Sequence, residues 1–239
     1  MFDSRKRSVA KGLSWRIVAI TVLTAVSWFI TRNLKAVSLI VVAYHVLQVF
    51  IYFFHERVWS KIRCGRSGGL FIQMTGMSGA GKSTLAFAVK KRLEKKGAHV
   101  EVIDGDEYRK NLCAGLGFSA KDRKTNIRRL GFVGNVLARN NVICIMSAIN
   151  PYRKVRKELG GKIVYIDCDL DSLKERDPKG LYKKALLPSD HPDHIPNFTG
   201  ISDPYEEPFN ADLILETNKM SKKQCVSLLE KFILENIEK

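Results

Sequence analysis

The stretch Gly76–Thr84 reads GMSGAGKST, and the residues on both sides of it decide the fold. Before it, LFIQMT (residues 70–75) is a short apolar run that predicts a buried strand. After it, KSTLAFAVKKRLEKKG has helical periodicity and stops at Gly97. A strand, a glycine-rich loop, a Lys-Ser pair and a helix in this order are typical of a loop that binds a nucleotide triphosphate.

The chemistry expected of this loop follows from its residue types. Glycines let backbone N–H groups turn inward around phosphate oxygens, and the N-terminus of the following helix adds positive potential. Lys82 would reach the outer phosphates, and the Ser83 hydroxyl would hold Mg²⁺. The stretch therefore predicts a site for a nucleotide triphosphate with Mg²⁺.

Two carboxylates follow the next predicted strand. VEVIDGD (residues 100–106) ends with Asp104 and Asp106 around a glycine. Ligands of open α/β sheets bind beyond the carboxyl ends of the strands, so we expect both side chains to face the phosphates. One of them would order Mg²⁺-bound water or accept the proton of an attacking hydroxyl, unless the pair only forms a turn.

Further apolar runs complete an alternation of strands and helices. Strands are predicted at residues 142–148, 162–168 and 211–217. The final helix carries an apolar stripe of Cys225, Val226, Leu228, Leu229, Phe232, Ile233 and Ile237. This alternation predicts an α/β domain with a doubly wound parallel sheet. The strand at 142–148 lacks a terminal aspartate, so Asp104 or Asp106 must take the role that such a residue usually has.

Two other segments are candidates for binding a second substrate. Arg123, Arg128 and Arg129 cluster on a helix that Ser119 would cap, and the cluster is either a solvated face or a clamp for an anion. No strong strand or long helix is predicted within residues 176–209. A long irregular segment in a compact domain is usually a functional lid.

The net charge first suggests a nucleic-acid binder, but its distribution argues against one. The chain of 239 residues has a formal net charge of +16, of which residues 1–66 carry +9. The remaining, mildly basic part suits a polyanionic small molecule such as a nucleotide, and no nucleic-acid partner is expected. Five scattered cysteines fit a reducing compartment.

The beginning of the chain contains two uncharged apolar runs, at residues 17–31 and 36–54, separated only by RNLK. Because neither run shows a polar stripe and aromatic residues lie near the ends, we expect an all-α transmembrane helical hairpin. A soluble hairpin docked on the following domain is the alternative. Basic residues flank the outer ends more heavily than the turn, which places both termini in the cytoplasm.

These patterns divide the chain into three parts. We expect a two-helix membrane anchor at residues 1–63, a linker at residues 64–69 and a catalytic domain at residues 70–239. The protein would be a multi-pass protein of the inner, cytoplasmic membrane with the lipid bilayer as a partner. Its catalytic domain would face the cytoplasm.

Several motifs together resemble one family, adenylyl-sulfate kinase, which phosphorylates the 3′-hydroxyl of adenylyl sulfate with MgATP. The resemblance covers about residues 68–239. It rests on GMSGAGKST, DGDEYRKNL, LGFSAKDRKTNIRR, NPYRKVR, RDPKGLYKKA and FTGISDPYEEP, in family order. It implies a P-loop kinase fold, ATP and Mg²⁺ as cofactors, adenylyl sulfate as substrate, a role in sulfate assimilation and a homodimer. HERVWSKI, after the second apolar run, resembles part of a small two-helix membrane domain.

The resemblance also implies roles for individual residues. Catalysis would rest on Lys82, Asp106 and Asp104, and Mg²⁺ would be held by Ser83 and Asp106. The ATP phosphates would lie against Gly76, Ser78, Gly79, Ala80, Gly81, Lys82, Ser83 and Thr84. Adenylyl sulfate would be bound by Arg109, Phe118, Arg123, Asn126, Ile149, Lys179, Leu181 and Phe198. Phe118 and Phe198 would sandwich its adenine, and Lys179 and Leu181 would belong to the closing lid.

Two departures from the family pattern bear on the mechanism and on the acceptor. Asn150 stands where family members commonly have a serine before PYR, so we expect direct in-line transfer without a phosphoenzyme. LLPSDHPDHIPN (residues 186–197) is longer than the usual lid connection and has no lysine. Its Asp and His residues fit a polar loop better than a metal site, and its length leaves a different nucleotide-like acceptor as an alternative.

Three functions remain open at this point. The first is an adenylyl-sulfate kinase that hands its product to a membrane-bound sulfotransferase or transporter. The second is a kinase for another nucleotide-like 3′-hydroxyl, such as that of a cytidine diphosphate derivative. The third is a nucleotide-binding membrane module without turnover, and the intact Lys82, Ser83 and Asp106 argue against it.

Overall fold

The computed structural model describes residues 5–30, 37–61 and 68–237. The chain divides into two compact units, residues 1–66 and residues 67–239.

The first unit contains two helices that pack together, α1 (Arg5–Ile30) and α2 (Val37–Lys61). Polar contacts join them: the Ser14 hydroxyl lies 2.9 Å from His55 Nε2, and Trp59 Nε1 donates to Ser14 Oγ at 3.1 Å. Within the described residues, neither helix has a stretch long and apolar enough to cross a membrane. The expected helices are therefore found, and their transmembrane character is not confirmed.

The second unit is built on a five-stranded parallel sheet with the strand order β2-β3-β1-β4-β5. The strands are β1 (Leu70–Thr75), β2 (Val100–Asp104), β3 (Ile143–Ser147), β4 (Lys162–Asp167) and β5 (Leu213–Glu216). The helices are α3 (Lys82–Lys95), α4 (Gly105–Arg109), α5 (Ala120–Arg139), α6 (Arg153–Leu159), α7 (Leu170–Arg176), α8 (Leu181–Ala185) and α9 (Lys222–Ile237).

Alternating side chains of the central strand β1 enter two separate apolar clusters. Ile72 and Met74 pack in the cluster that also holds buried residues of α3 and α9. Phe71 packs in a second cluster with Ile127 and Leu130 of α5. Apolar packing on both faces is what a doubly wound parallel sheet requires, so this part of the fold prediction is confirmed.

The predicted strands are all present, but each except β1 is shorter than expected by one to three residues. The short helices α4, α6, α7 and α8 were not predicted, because five to seven residues are too few to show a helical period. In α9, Leu228 is 42% exposed and leaves the expected apolar stripe, whereas Cys225, Val226, Leu229 and Ile233 are buried.

The strand order brings the carboxyl ends of β1, β2 and β3 to one edge of the sheet. Ser147 at the end of β3 is in register with Met74 of β1 on one side and with Asp104 of β2 on the other. The loop after β1, the carboxylates after β2 and the turn after β3 are therefore neighbours. This edge is where a parallel sheet offers its ligand site.

Candidate active site

The loop between β1 and α3 has the backbone shape of a phosphate cradle. Gly79 and Gly81 have φ values of 77° and 95°, a left-handed conformation that favours glycine. At Gly76, φ is 153°, and a Cβ atom would lie 2.5 Å from the carbonyl oxygen of Ile166. These three glycines are thus needed for the path of the loop.

Lys82, the first residue of α3, points back into the loop. Its side chain is 8% exposed, and its ammonium group donates to the carbonyl oxygens of Gly76 at 2.9 Å and Met77 at 2.7 Å. Burial lowers the pKa of Lys82 to about 8, while the nearby charges of Asp106 and Asp104 act in the opposite direction. When a nucleotide is bound, its outer phosphate oxygens would replace these two carbonyl oxygens as the hydrogen-bond partners of the ammonium group.

We expect the lowered pKa of Lys82 to make stability depend on pH. The folded chain loses this proton near pH 8 and the unfolded chain only near pH 10.5. The unfolded state therefore binds more protons in this window, and folding stability rises with pH there. Urea unfolding without nucleotide measures this. Between about pH 7 and about pH 10, the free energy of unfolding of the wild type should rise by about 2–3 kcal/mol more than that of Lys82→Met. An equal change in both proteins would contradict the desolvation of Lys82.

The Ser83 hydroxyl lies between the ends of two strands. It donates to Asp104 Oδ2 at 2.5 Å and lies 3.1 Å from the Ser147 hydroxyl. The other oxygen of Asp104 accepts from the backbone N–H groups of Asp106 at 3.0 Å and Glu107 at 3.3 Å, which caps α4. Asp104 is thus fixed against Ser83 by the helix that it caps.

A hydroxyl and a carboxylate in contact form a donor set that suits Mg²⁺, which prefers oxygen ligands. Ser83 and Asp104 are the pair that the structure brings into contact, and Asp106 forms its ion pair with Lys179. These two residues fit the cofactor, whereas the expected place of Asp106 beside Ser83 stays a prediction.

Replacing Asp104 by Asn should weaken the use of Mg²⁺. Because the amide carries no charge, we expect Asp104→Asn to raise the Mg²⁺ concentration for half-maximal turnover by about 10–100-fold. Asp169→Asn is the matched control, since Asp169 caps α7 through Ser172 in the same way. A magnesium titration of the rate checks this, and unchanged Mg²⁺ dependence in Asp104→Asn would remove Asp104 from the metal site.

Asp106 contacts the predicted lid, residues 176–209. Its side chain is exposed and forms an ion pair with Lys179, which precedes α8. Tyr182 of α8 donates its hydroxyl to the carbonyl oxygen of Ser78 at 3.0 Å, so the short lid helix lies against the phosphate loop. Asp177 accepts from the backbone N–H of Leu181 at 2.8 Å and orients the start of that helix. The predicted lid residues are therefore placed beside the predicted catalytic carboxylate.

An exposed aromatic ring lies beside the arginine of α4. Phe118 is 65% exposed, and the guanidinium of Arg109 stacks on its ring 4.2 Å from the centroid. Arg109 also donates to the carbonyl oxygens of Leu116, at 3.3 Å, and Gly117. This cation and this ring form a surface suited to a flat, negatively charged ligand.

Arg123 of α5 connects this surface to the end of the lid. Its Nε atom donates to the carbonyl oxygen of Phe118 at 2.9 Å. Its other nitrogens donate to the Thr199 hydroxyl, to the carbonyl oxygen of Asn197 and to the Asp203 carboxylate, the last at 3.1 Å. The structure thus brings Arg123 together with the FTGISDPYEEP segment.

The remaining predicted substrate residues occupy different environments. Asn126 is 6% exposed, and its Oδ1 atom has no hydrogen-bond partner among the described residues, so it offers a buried acceptor. Phe198 is 7% exposed and packs edge-to-face on Tyr182 at 5.0 Å. Leu181 packs against the same core, and Ile149 accepts a hydrogen bond at its carbonyl from Thr75 at 2.8 Å. The adenine sandwich of Phe118 and Phe198 stays a prediction.

The unusual loop at residues 186–197 is held by local polar contacts. His194 Nδ1 lies 2.8 Å from the carbonyl oxygen of Leu187, and Lys184 lies 3.5 Å from Asp193. Among the described residues, no group of three or more His, Cys, Asp or Glu side chains is arranged to hold a metal ion. These contacts agree with the polar-loop interpretation.

Some residues of this site were missed from the sequence. The Ser147 hydroxyl lies 3.1 Å from the Ser83 hydroxyl. This contact was not predicted, because the strand before Ser147 is apolar and lacks a terminal aspartate. Thr199 and Asp203 bind Arg123, and Tyr182 binds the phosphate loop. The last three lie in the quoted motifs, so motif membership was the available signal.

Comparison with known proteins agrees with this geometry. Residues 68–216 match the family model described as adenylylsulphate kinase, and residues 9–60 match one described as predicted membrane protein (DUF2061). The chain is 49% identical to the adenylyl-sulfate kinase of Chloroflexus aurantiacus over 71% of this chain and 91% of that protein. It is 46% identical to the probable bifunctional SAT/APS kinase 2 of Sorangium cellulosum, over 66% of this chain but only 27% of that protein.

A solved structure extends the match to the fold. The APS kinase CysC of Mycobacterium tuberculosis, in complex with AMPPNP and APS, has a TM-score of 0.61 and 38% identity. The alignment covers 71% of this chain and 99% of that one. With the phosphate loop, the paired carboxylates and the arginine-bound lid segment all in place, the chain belongs to the adenylyl-sulfate kinase family.

Proposed function

We propose that the site described above transfers the γ-phosphoryl group of ATP to the 3′-hydroxyl of adenylyl sulfate. The products are ADP and 3′-phosphoadenylyl sulfate, the activated sulfate of sulfate assimilation. The observation that carries the proposal is the ion pair between Asp106 and Lys179. It brings a carboxylate at the sheet edge and a cation of the lid to the mouth of the phosphate loop.

On the donor side, the loop binds the phosphates through its backbone N–H groups and the start of α3. Lys82 exchanges its two carbonyl partners for outer phosphate oxygens, which hold the charge that develops during transfer. Ser83 and Asp104 hold Mg²⁺, which supplies charge neutralisation to the phosphates when it is bound. These residues position the phosphates and stabilise the charge that develops during transfer, and none of them forms a covalent bond to phosphate.

On the acceptor side, Asp106 accepts the proton of the 3′-hydroxyl as that oxygen attacks. Before that step, Lys179 leaves Asp106 for the phosphoryl group being transferred, which frees the carboxylate for this role. Arg109 and Arg123 face the anionic groups of adenylyl sulfate, Asn126 Oδ1 accepts a hydrogen bond, and Phe118 stacks on the base.

Product identification tests the proposal. The full chain is incubated with MgATP and adenylyl sulfate, and the nucleotides are separated and analysed by mass spectrometry. We expect adenylyl sulfate with one added phosphoryl group, which a 3′-specific nucleotidase removes again. A product phosphorylated elsewhere, or adenylyl sulfate recovered unchanged while the folded chain binds ATP, would contradict the proposal.

Transfer should be direct, without a phosphorylated enzyme. Asn150 replaces the family's usual serine, and its amide is fully buried, where it donates to Gln73 Oε1 at 2.9 Å. An amide offers no hydroxyl to phosphorylate, and this one faces the core. We expect no acid-stable or acid-labile label on the protein after a rapid quench with γ-labelled ATP. Label that appears on the protein and then passes to adenylyl sulfate would overturn this prediction.

Residues 1–63 act as a membrane anchor, residues 64–69 as a linker and residues 70–239 as the kinase. The supporting observations are the match to a family described as a predicted membrane protein and the uncharged run at residues 36–54. The described parts of α1 and α2 also expose apolar side chains, namely Val9, Leu13, Ile17, Phe29, Val46, Val49, Phe50, Phe53, Phe54 and Val58. A hairpin with both ends in the cytoplasm would leave the kinase beside cytoplasmic ATP.

Membrane fractionation tests the anchor. The full chain should sediment with the cytoplasmic membrane and stay there after alkaline carbonate washing. Added protease should cleave the kinase only when it reaches the cytoplasmic face. Recovery of the chain in the supernatant would contradict the anchor, and cleavage from the opposite face would contradict the orientation.

The kinase acts as a homodimer, as the family resemblance implies. Sedimentation equilibrium of the full chain in density-matched detergent measures the mass directly. Two chains per particle support the proposal, whereas a monomer or a larger assembly contradicts it.

A further inference from the structure

Arg156 of α6 is buried in an unusual way. It is 2% exposed, and its guanidinium donates to two backbone carbonyl groups, those of Asn150 at 2.6 Å and Glu206. No carboxylate lies within ion-pair distance of it among the described residues, and burial lowers its pKa. A buried charge without a charged partner is costly, and an apolar side chain would fill the same space without that cost.

The network around Arg156 is closed by two buried amides. Gln73 of β1 donates from Nε2 to the carbonyl oxygen of Arg156 at 3.0 Å and accepts from Asn150 Nδ2 at 2.9 Å. Asn150 has a φ of 44°, a left-handed conformation that asparagine tolerates better than most residues. Its backbone is thereby turned so that its carbonyl group meets the guanidinium.

One side of this network contacts the donor loop. The Thr75 hydroxyl donates to the carbonyl oxygens of Ile149 at 2.8 Å and Asn150 at 3.1 Å. Thr75 is the last residue of β1, and the N–H of Gly76 bonds the same Ile149 carbonyl at 3.4 Å. The turn held by Arg156 is therefore also the turn on which the phosphate loop begins.

The other side holds the segment that contacts the acceptor residues. Glu206 closes a stretch, residues 197–206, which provides all the lid contacts of Arg123 described above. Apart from the bridge between Thr199 and Asp203, this stretch belongs to no strand or helix. Its position therefore depends on individual contacts. They include the Glu206 N–H to the Pro151 carbonyl oxygen at 3.0 Å, Arg156 to the Glu206 carbonyl oxygen, and Tyr205 to Thr75 at 2.9 Å.

We propose that Arg156 is a positioning residue for the acceptor: it fixes residues 197–206 against the turn behind the phosphate loop and so sets the affinity for adenylyl sulfate. The inference rests on the proposed function. The donor loop keeps its own support from β1 and α3, so ATP binding does not depend on Arg156. The acceptor segment has no strand or helix of its own to support it, so we expect it to shift on its remaining contacts when the guanidinium is lost.

The test is steady-state kinetics of the full chain carrying Arg156→Met. We expect KM for adenylyl sulfate to rise at least about tenfold, with Kd for a non-hydrolysable ATP analogue within about twofold of wild type. Arg92→Met is the control, because Arg92 joins α3 to Ser227 and Glu230 of α9, away from the acceptor segment. It should lower the melting temperature and leave both constants unchanged.

Three outcomes overturn the inference: unchanged KM values in folded Arg156→Met, an equal change in both substrates, or a change in ATP binding alone. If Arg156→Met does not fold, Arg156→Lys decides the matter. Lysine can keep one of the two carbonyl contacts but lacks the planar fork, so we expect an intermediate KM for adenylyl sulfate. Wild-type chain that ignores adenylyl sulfate would instead refute the proposed function itself.

Discussion

Asp106→Asn is expected to lower turnover by about 10²–10⁴-fold while the chain still binds ATP. An amide keeps the size of the carboxylate but cannot accept the proton of the attacking 3′-hydroxyl. Asp106 is exposed and its contact is with Lys179, so its replacement leaves the core intact. Single-turnover rates at saturating adenylyl sulfate measure the chemical step, and fluorescence titration with an ATP analogue measures binding.

Asp171→Asn is the matched control for this experiment. Its side chain is 96% exposed, and it pairs with Lys174 within α7, away from the loop. Its rate should equal that of the wild type. Near-normal turnover in Asp106→Asn would remove Asp106 from the mechanism and leave the proton to solvent or to another group.

Lys82→Met should lower turnover by about 10²–10³-fold or more. Methionine fills a similar volume but brings no cation to the outer phosphates, where negative charge must be held during transfer. The substitution also removes a buried charge, so the folded state should not be weakened at neutral pH. Turnover is followed by ADP formation, and the folded state by thermal melting without nucleotide.

Lys90→Met provides the comparison for Lys82→Met. Lys90 lies on the same helix but pairs with Glu101 at 3.2 Å on the surface. Its loss should leave turnover unchanged. A Lys82→Met enzyme with at least half of the wild-type rate would remove Lys82 from the stabilisation of the transferred phosphoryl group.

The sequence contained enough information for the sheet and for the donor site. The β1 strand, the glycine-rich loop and the start of α3 are adjacent in the chain, so their spacing alone defines the cradle around Lys82. The alternation of apolar runs likewise identified the strands, because a buried parallel strand is a short continuous apolar segment.

The acceptor site could be predicted only by resemblance, because its parts are distant in sequence. Arg123 and Asp203 are 80 residues apart, and Asp106 and Lys179 are 73 apart. No periodicity signals such a pairing. The Arg156 network could not be predicted either, because hydrogen bonds to backbone carbonyl groups impose no pattern of residue types on the sequence. The short helices α4 and α8, which aim Asp106 and the lid, were too brief to detect.

Because the loop at residues 186–197 is longer than the family's usual lid connection, the identity of the acceptor is the central claim to test. The most direct measurement is ADP formation by the full chain with MgATP and each of four additions: adenylyl sulfate, its 3′-deoxy analogue, a cytidine diphosphate derivative, or no acceptor. We expect rapid ADP formation with adenylyl sulfate and background rates in the other three. Equal rates with the 3′-deoxy analogue, or turnover only with the cytidine nucleotide, would contradict 3′-phosphorylation of adenylyl sulfate.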